Sequence, residues 1–375
     1  MTIRWRSATV QRLTGTWPGS VELVAVLDAG ADVGEEAGAE VRALAHPDLV
    51  GTPRPGDRVL LNTSALARGL GTGGYALVVA LPDALPADPP AGPGHLVKAR
   101  YTPLQTMVLG ADDQESPHHD VLADADDLAG TPVVVADLHS ALPAVVAGVR
   151  ADAPGARVAY VLTDGGALPA AFSRAVAGLR EAGWLAACIS TGQSFGGDLE
   201  TATVHTGLLA ARLVVGADVV VVAQGPGNLG TGSRWGFSGV AAGEALNAAA
   251  VLRGRPVAAL RVSEADPRPR HRGVSHHSLT AVGRVALAPA DVVVTDAPGG
   301  FHDGVRAQAR GLCTAGGGRH RYVQVPREGL DAALAGCPVR LSTMGRGLEE
   351  DRAAFLLAAA AGRHAARLLG AGAPA

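Results

Sequence analysis

The sequence predicts an α/β protein. A small β-barrel or sandwich comes first, followed by an open, mostly parallel, doubly wound α/β sheet. Three observations carry this reading. Residues 1 to about 80 hold short β-prone runs divided by turn residues. A proline-rich segment, 81–94, follows them. From Pro132 onward, short apolar runs alternate with helix-forming segments, and each run breaks into a polar or glycine-rich turn. That alternation is the pattern of parallel strands buried on both faces.

In the first part the β-prone runs are 21–27, 40–45, 58–62 and 75–81, with turn signals at 28–30, 52–57 and 69–74. The segment 81–94 carries Pro82, Pro86, Pro89, Pro90 and Pro93, so it reads as a stiff linker. It divides the chain into domains 1–94 and 95–375. Beyond it, 104–110 is expected as a strand and 114–120 as a loop. Then come five strand–turn–helix units, with strands at 132–136, 157–162, 185–189, 219–223 and 256–262. Helices are expected to about 151, through 181, from Asp198 to about 215, and over 237–252. Further strands are expected at 284–288, 291–295, 322–325 and 339–342. Residues 298–318 read as a glycine-rich, partly mobile segment, and 350–369 as the C-terminal helix.

Composition narrows the function classes. Hydrophobic residues make up 47% of the 375, ample for a core and against global disorder. A net charge of −3 argues against a nucleic-acid partner or a membrane-surface protein. The N-terminus lacks an apolar stretch of signal-peptide length, and the apolar run 353–361 is about half of what a span needs. Cys188, Cys313 and Cys337 are scattered, with no CxxC pair, which fits a reduced, cytoplasmic setting. Lys98 is the only lysine, so a P-loop is excluded, and no G-x-S-x-G occurs. His118 and His119 are neighbours that would point to opposite faces of an extended chain. No metal-ligand set and no cofactor is assigned. A homo-oligomer is compatible with all of this.

The most informative stretch is 217–239, ADVVVVAQGPGNLGTGSRWGFSG. A buried-type strand ends at Gln224 and enters Gly225-Pro226-Gly227-Asn228-Leu229-Gly230, a G-x-G-x-x-G ahead of a helix. The position on the fourth strand of the domain, Pro226, and the long distance to the next strand-end acid all weaken a dinucleotide reading. An anion held by exposed N–H groups near a helix start fits better. In an open parallel sheet, ligands bind beyond the carboxyl ends of the strands. Read there, the candidates are Asp137 and His139, then Asp164, Gly165 and Gly166, then Gln193 and Asp198, then Gly225, Gly227, Asn228 and Gly230, then Glu264. Capping alone would also account for an Asp at 137, 164 or 198. Arg261, Arg268, Arg270, Arg272 and Arg284 cluster with His271, His276 and His277 around the fifth strand, a grouping suited to gripping an anion.

Six blocks together resemble one uncharacterised bacterial family, the domain of unknown function 3866: GTGGYALVVALP, GHLVKARYTPLQ, QESPHHD, VLTDGGALP, VVAQGPGNLGTGSRWGFSG and VSEADPRPRHRGVSHHSLTA. They span nearly the whole chain. The resemblance implies no activity, so function rests on the residues. They point to a cytoplasmic enzyme of a small anionic metabolite. Asp137, Asp164 or Asp198 would position or deprotonate the substrate. The 225–230 loop with Arg268, Arg270 and Arg272 would hold its anionic group, and His276 or His277 would move protons. A non-catalytic ligand-binding or assembly protein using the same rim is the alternative.

Overall fold

The structure, a computed structural model, describes residues 2–28, 37–70 and 73–370. Its chain divides into two compact units, Met1–Gly92 and Pro93–Ala375. Parts of two expected turns, Ala29 and Gly30 in one and Gly71 and Thr72 in the other, lie outside the described residues.

The first unit is a closed barrel of five strands: β1 (Trp5–Trp17), β2 (Ser20–Leu27), β3 (Glu40–Ala45), β4 (Arg58–Asn62) and β5 (Ala76–Ala80). The order around the barrel is β1-β2-β3-β5-β4. Only β3 and β5 pair in parallel, and β4 closes the ring on β1 from Trp5↔Asn62 to Thr9↔Arg58. Closure leaves no edge to pair with another chain. Small residues, Ala8, Ala25, Ala43 and Ala76, share the interior with Val10, Leu23, Leu27, Val59 and Leu61. A barrel of so few strands has room for little more. β1 was not among the expected strands. Its inward residues are only Arg6, Ala8 and Val10, and its outer half, Gln11–Trp17, is largely solvated, so no hydrophobic period announces it.

The second unit is built on eight parallel strands. They are β6 (Pro132–Ala136), β7 (Val158–Thr163), β8 (Ala187–Ser190), β9 (Leu199–Glu200), β10 (Val219–Gln224), β11 (Arg255–Ala259), β12 (Asp291–Thr295) and β13 (Arg321–Val325). Their order is β9-β8-β7-β10-β6-β11-β12-β13. The central strands are buried end to end: every residue of β6 and β10, and all of β7 but Thr163. Helices α1 (Leu142–Asp152), α7 (Leu330–Ala335) and α8 (Arg352–Gly370) pack together on one face. Helices α3 (Val204–Leu213), α4 (Ala241–Val251) and α6 (Gly300–Gly318), with the short α5 (His276–Thr280) and the π-helical turn 281–285 after it, cover the other. Helix α2 (Arg174–Glu181) follows β7.

Several expected elements are corrected. The segment 284–288 is not a strand: Ala281–Val285 continues α5 as a π-helical turn, wedged against Gly243 of α4. The segment 298–318 holds a 19-residue helix, Gly300–Gly318, because Val305, Ala309, Leu312 and Cys313 form one buried stripe, while Gly300, Gly304 and Gly311 are exposed. The helix expected from Asp198 is preceded by the edge strand β9 and starts only at Val204, capped by Thr203. The strand expected at 339–342 is reduced to Ser342–Thr343, paired with Arg346–Gly347.

Two glycines set the distance between α1 and α8. A Cβ on Gly148 would strike the Ala359 carbonyl oxygen, and one on Gly362 would strike that of Val145. The helices therefore touch backbone to backbone, with Ala358, Ala359, Ala360 and Ala361 filling the contact. Gly148→Val is expected to destabilise the protein by about 3 kcal/mol, as overpacking does. Gly155→Ala is the control, since nothing lies within 4 Å of its Cβ position. Equal thermal midpoints for the two variants would contradict the close crossing.

Candidate functional site

All eight strands run the same way, so their carboxyl ends share one edge. β6 and β10 are neighbours, yet the helix after β6 lies on one face and the helix after β10 on the other. Adjacent strands whose connections part in this way open a crevice at their carboxyl ends.

Asp137 directly follows β6 and Gln224 ends β10; they are 6% and 4% exposed. Gln224 Nε2 donates to the Asp137 backbone carbonyl at 2.6 Å. The Asp137 Oδ2 and Gln224 Oε1 atoms are buried with no hydrogen-bond partner. Native interiors rarely leave such atoms unpaired. Beyond Asp137 stands His277, 6% exposed, with Nδ1 3.7 Å from Asp137 Oδ2. Its ring stacks on Phe237, centroids 3.8 Å apart and planes within 5°. Arg261, half-buried after β11, brings Nη1 to 3.0 Å from the same His277 nitrogen. Among the described residues Arg261 has no carboxylate partner. Ser275 caps α5 by accepting from His277 N. It also bonds His271 Nδ1 at 2.8 Å. His271, His276 and His277 each offer a nitrogen, and these lie within 4.8 Å of one another. Burial, then the charges of Arg261 and Arg268, pushes the His271 ring down to about 3. Burial lowers His276 as well.

His139 occupies a separate network. Its Nε2 meets Ser173 Oγ at 2.7 Å and its Nδ1 meets the Tyr160 hydroxyl at 3.1 Å. Tyr160 donates onward to the carbonyls of Ala223 and Gln224. Burial pushes the His139 ring down to about 4. A cavity of about 240 Å³ lies beside it, lined by His139, Ser140, Gly227, Asn228, Arg340 and Met344 among others. Leu138, Ser140 and Met344 also line a smaller cleft that contains Asp137, Arg261 and Asp266.

The glycine motif divides by role. Cβ atoms on Gly166 and Gly225 would collide with the Gly225 and Ala167 carbonyl oxygens, and one on Gly165 would sit 2.6 Å from Gln224 Oε1. These three glycines let two loops touch. Gly227, at φ +96°, has open space around it and borders the cavity with Asn228. Gly230 is bridged to Phe237 at the base of an exposed excursion. The remaining candidates are held elsewhere. Asp164 is exposed and accepts from Gln193 N at 3.0 Å. Gln193 bonds Arg100 N and the Val97 carbonyl. Asp198 accepts from Cys188 N at the start of β8 and pairs with Arg180, away from the carboxyl edge. Glu264 accepts from Ala353 N at the head of α8. Arg268 forms a bidentate pair with Asp266, which holds that carboxyl well below its ordinary range. Arg270 and Arg272 are exposed. The structure thus joins Asp137 with His276 and His277 and leaves Asp164, Gln193, Asp198 and Glu264 outside that group. Ser173, Tyr160 and Arg340 escaped the sequence reading, having no motif around them. Gln224 and Arg261 were legible as a strand end and as part of the arginine cluster.

The family model described as a protein of unknown function (DUF3866) matches residues 42–362. The chain belongs to that family. No curated protein and no solved structure matches it. The DUF3866 match runs from β3 into α8 and so includes every residue of the crevice.

Two outcomes follow for the DUF3866 chain. Gly227→Ala is expected to cost about 1 kcal/mol through its left-handed backbone. Gly166→Ala should cost more and disturb the crevice, because its Cβ has no space; chemical denaturation ranks them. The second concerns acid. His139 stays neutral when folded down to about 4, whereas its ordinary value is 6.5. Between these pH values the unfolded chain binds the extra proton, so its stability contribution is present above 6.5 and is lost as pH falls toward 4. The loss approaches about 3 kcal/mol. His139→Gln should flatten the fall of the thermal midpoint over that window; an unchanged slope would contradict the assignment.

Proposed function

We propose that this chain is an enzyme that binds a small anionic metabolite at the β6–β10 crevice and moves a proton there with Asp137 and His277. One observation carries the reading: Asp137 Oδ2, buried and unpartnered, and Arg261, a guanidinium without a carboxylate, both converge on His277 Nδ1. A buried acceptor left unpaired costs about 1–3 kcal/mol, and a ligand that supplies a donor recovers this. Arg261 anchors the anionic group with its forked N–H donors. Asp137 accepts the substrate proton, directly or through the His277 ring beside it. The 240 Å³ cavity next to the crevice, with Asn228 and Arg340 on its wall, accommodates the rest of a small molecule. This narrows the anion-binding arginines from the 268–272 loop to Arg261, since Arg268 is already neutralised by Asp266.

The test is a thermal-shift screen with inorganic phosphate, phosphorylated metabolites and dicarboxylates, followed by turnover of each stabilising compound monitored by NMR. A hit should lose about tenfold or more in affinity in Arg261→Met, the scale of one charge-assisted hydrogen bond. Asp137→Asn should still bind the hit but not convert it. Binding that Arg261→Met leaves intact would overturn the site. A hit that wild-type protein binds and never converts would favour a non-catalytic ligand-binding protein.

A further inference from the structure

We propose that His271, His276 and His277 form a binding site for a divalent first-row transition ion, with zinc the ion best suited to three imidazole nitrogens. The sequence left His276 and His277 open as a general base or a metal ligand and assigned no ligand set. In the structure the three rings lie 4.4–4.9 Å apart between centroids, and one nitrogen of each falls within 4.8 Å of the others. Zinc–nitrogen bonds of about 2.0–2.1 Å place two tetrahedral ligands roughly 3.4 Å apart, so modest turns of the rings toward their common centre complete the set.

Three further features suit a metal. His276 Nε2 is buried and has no hydrogen-bond partner. His271 Nδ1 is held by Ser275 Oγ at 2.8 Å, which leaves Nε2 as the ligand atom and fixes the ring. Asp137 Oδ2, unpartnered and 3.7 Å from His277 Nδ1, is placed to accept a hydrogen bond from that nitrogen once Nε2 binds the ion, a carboxylate–histidine–metal triad. Arg261 then gives up its bond to His277. The charged groups around the cluster are Arg261, Arg268 and Arg270, with Asp137 and Asp266 of opposite sign. Burial keeps His271 and His276 neutral, and neutral imidazole is the form that binds metal. Three protein ligands leave a fourth position for water or substrate, as catalytic zinc sites do. This inference goes beyond the anion reading and does not need it. Where both hold, His277 is a ligand and Asp137 alone remains as the base.

The full chain, stripped with a chelator and checked for folding by circular dichroism, is titrated with zinc by calorimetry and with cobalt by visible absorption. The expected result is one zinc per chain and a cobalt spectrum of nitrogen ligation. Affinity should fall at least about tenfold in His276→Ala and in His271→Gln. His276 is half-buried, so its variant should keep the wild-type dichroism. Failure of wild-type protein to bind zinc or cobalt at micromolar concentration would overturn the proposal, as would zinc titrations unchanged in both variants. Zinc binding without any anionic hit upholds the metal site and sinks the anion reading. An anionic hit lost in Arg261→Met, with no zinc binding, does the reverse.

Discussion

The loops leaving β7 and β10 touch backbone to backbone, and the candidate site depends on that contact. Gly165 and Gly166 face Gln224 and Gly225 with no room for a Cβ on the first, second or fourth. Ala167 N donates to the Pro226 carbonyl at 2.9 Å and Gly225 N to that of Thr163 at 3.3 Å. Close approach of this kind is the use of glycine that its missing side chain permits. The contact aims Gln224 sideways onto the Asp137 carbonyl. Gly239 yields in the same way, since its Cβ position is 2.9 Å from Asp137 Cβ. Asp137 is thus held between two strand ends and a helix start.

What the contact holds in place is an imbalance. Arg268 and Asp266 satisfy each other, and Arg346 and Asp351 form a second pair beside them. Arg261 and Asp137 do not pair. They approach one imidazole nitrogen from two directions and leave a carboxylate oxygen unsatisfied. The pairs beside it are neutralised and this one is open, which is the gap that the proposed ligand or ion would fill.

Much of the architecture was legible because β6, β7, β10 and β12 are unbroken apolar runs, which only a sheet covered on both faces accommodates. The position of Asp137 and Gln224 at one edge followed from parallel strands. The hidden parts had physical causes. In α6 the glycines Gly300, Gly304 and Gly311 weaken helix propensity, and burial of Val305, Ala309 and Leu312 overrides it. Residues Leu199–Glu200 add an edge strand too short to carry a period. The histidine cluster was hidden for another reason. His271 precedes a two-residue strand, and His276 and His277 open a helix, so only the fold turns three rings to one point.

The sole lysine explains where along the edge a ligand can sit. Lys98 is fully buried, and its Nζ donates to the carbonyls of Gly192, Ser194 and Thr201 and lies 3.2 Å from Glu200 Oε2. Burial lowers the lysine and raises the glutamate, so desolvation outweighs their mutual attraction in both. The pair is held instead by the carbonyls and by Gly196 N, which reaches Glu200 Oε1 at 2.6 Å. Gln193 adds bonds to Val97 and Arg100. The segment from Leu96 to Arg100 is therefore fastened across the loop that leaves β8, and Glu200 Oε2, which lacks a hydrogen-bond partner, faces the Lys98 ammonium at 3.2 Å. Glu200 Oε2 has the Lys98 ammonium beside it, whereas the unsatisfied Asp137 Oδ2 and Gln224 Oε1 lie at the ends of β6 and β10, where the connections part.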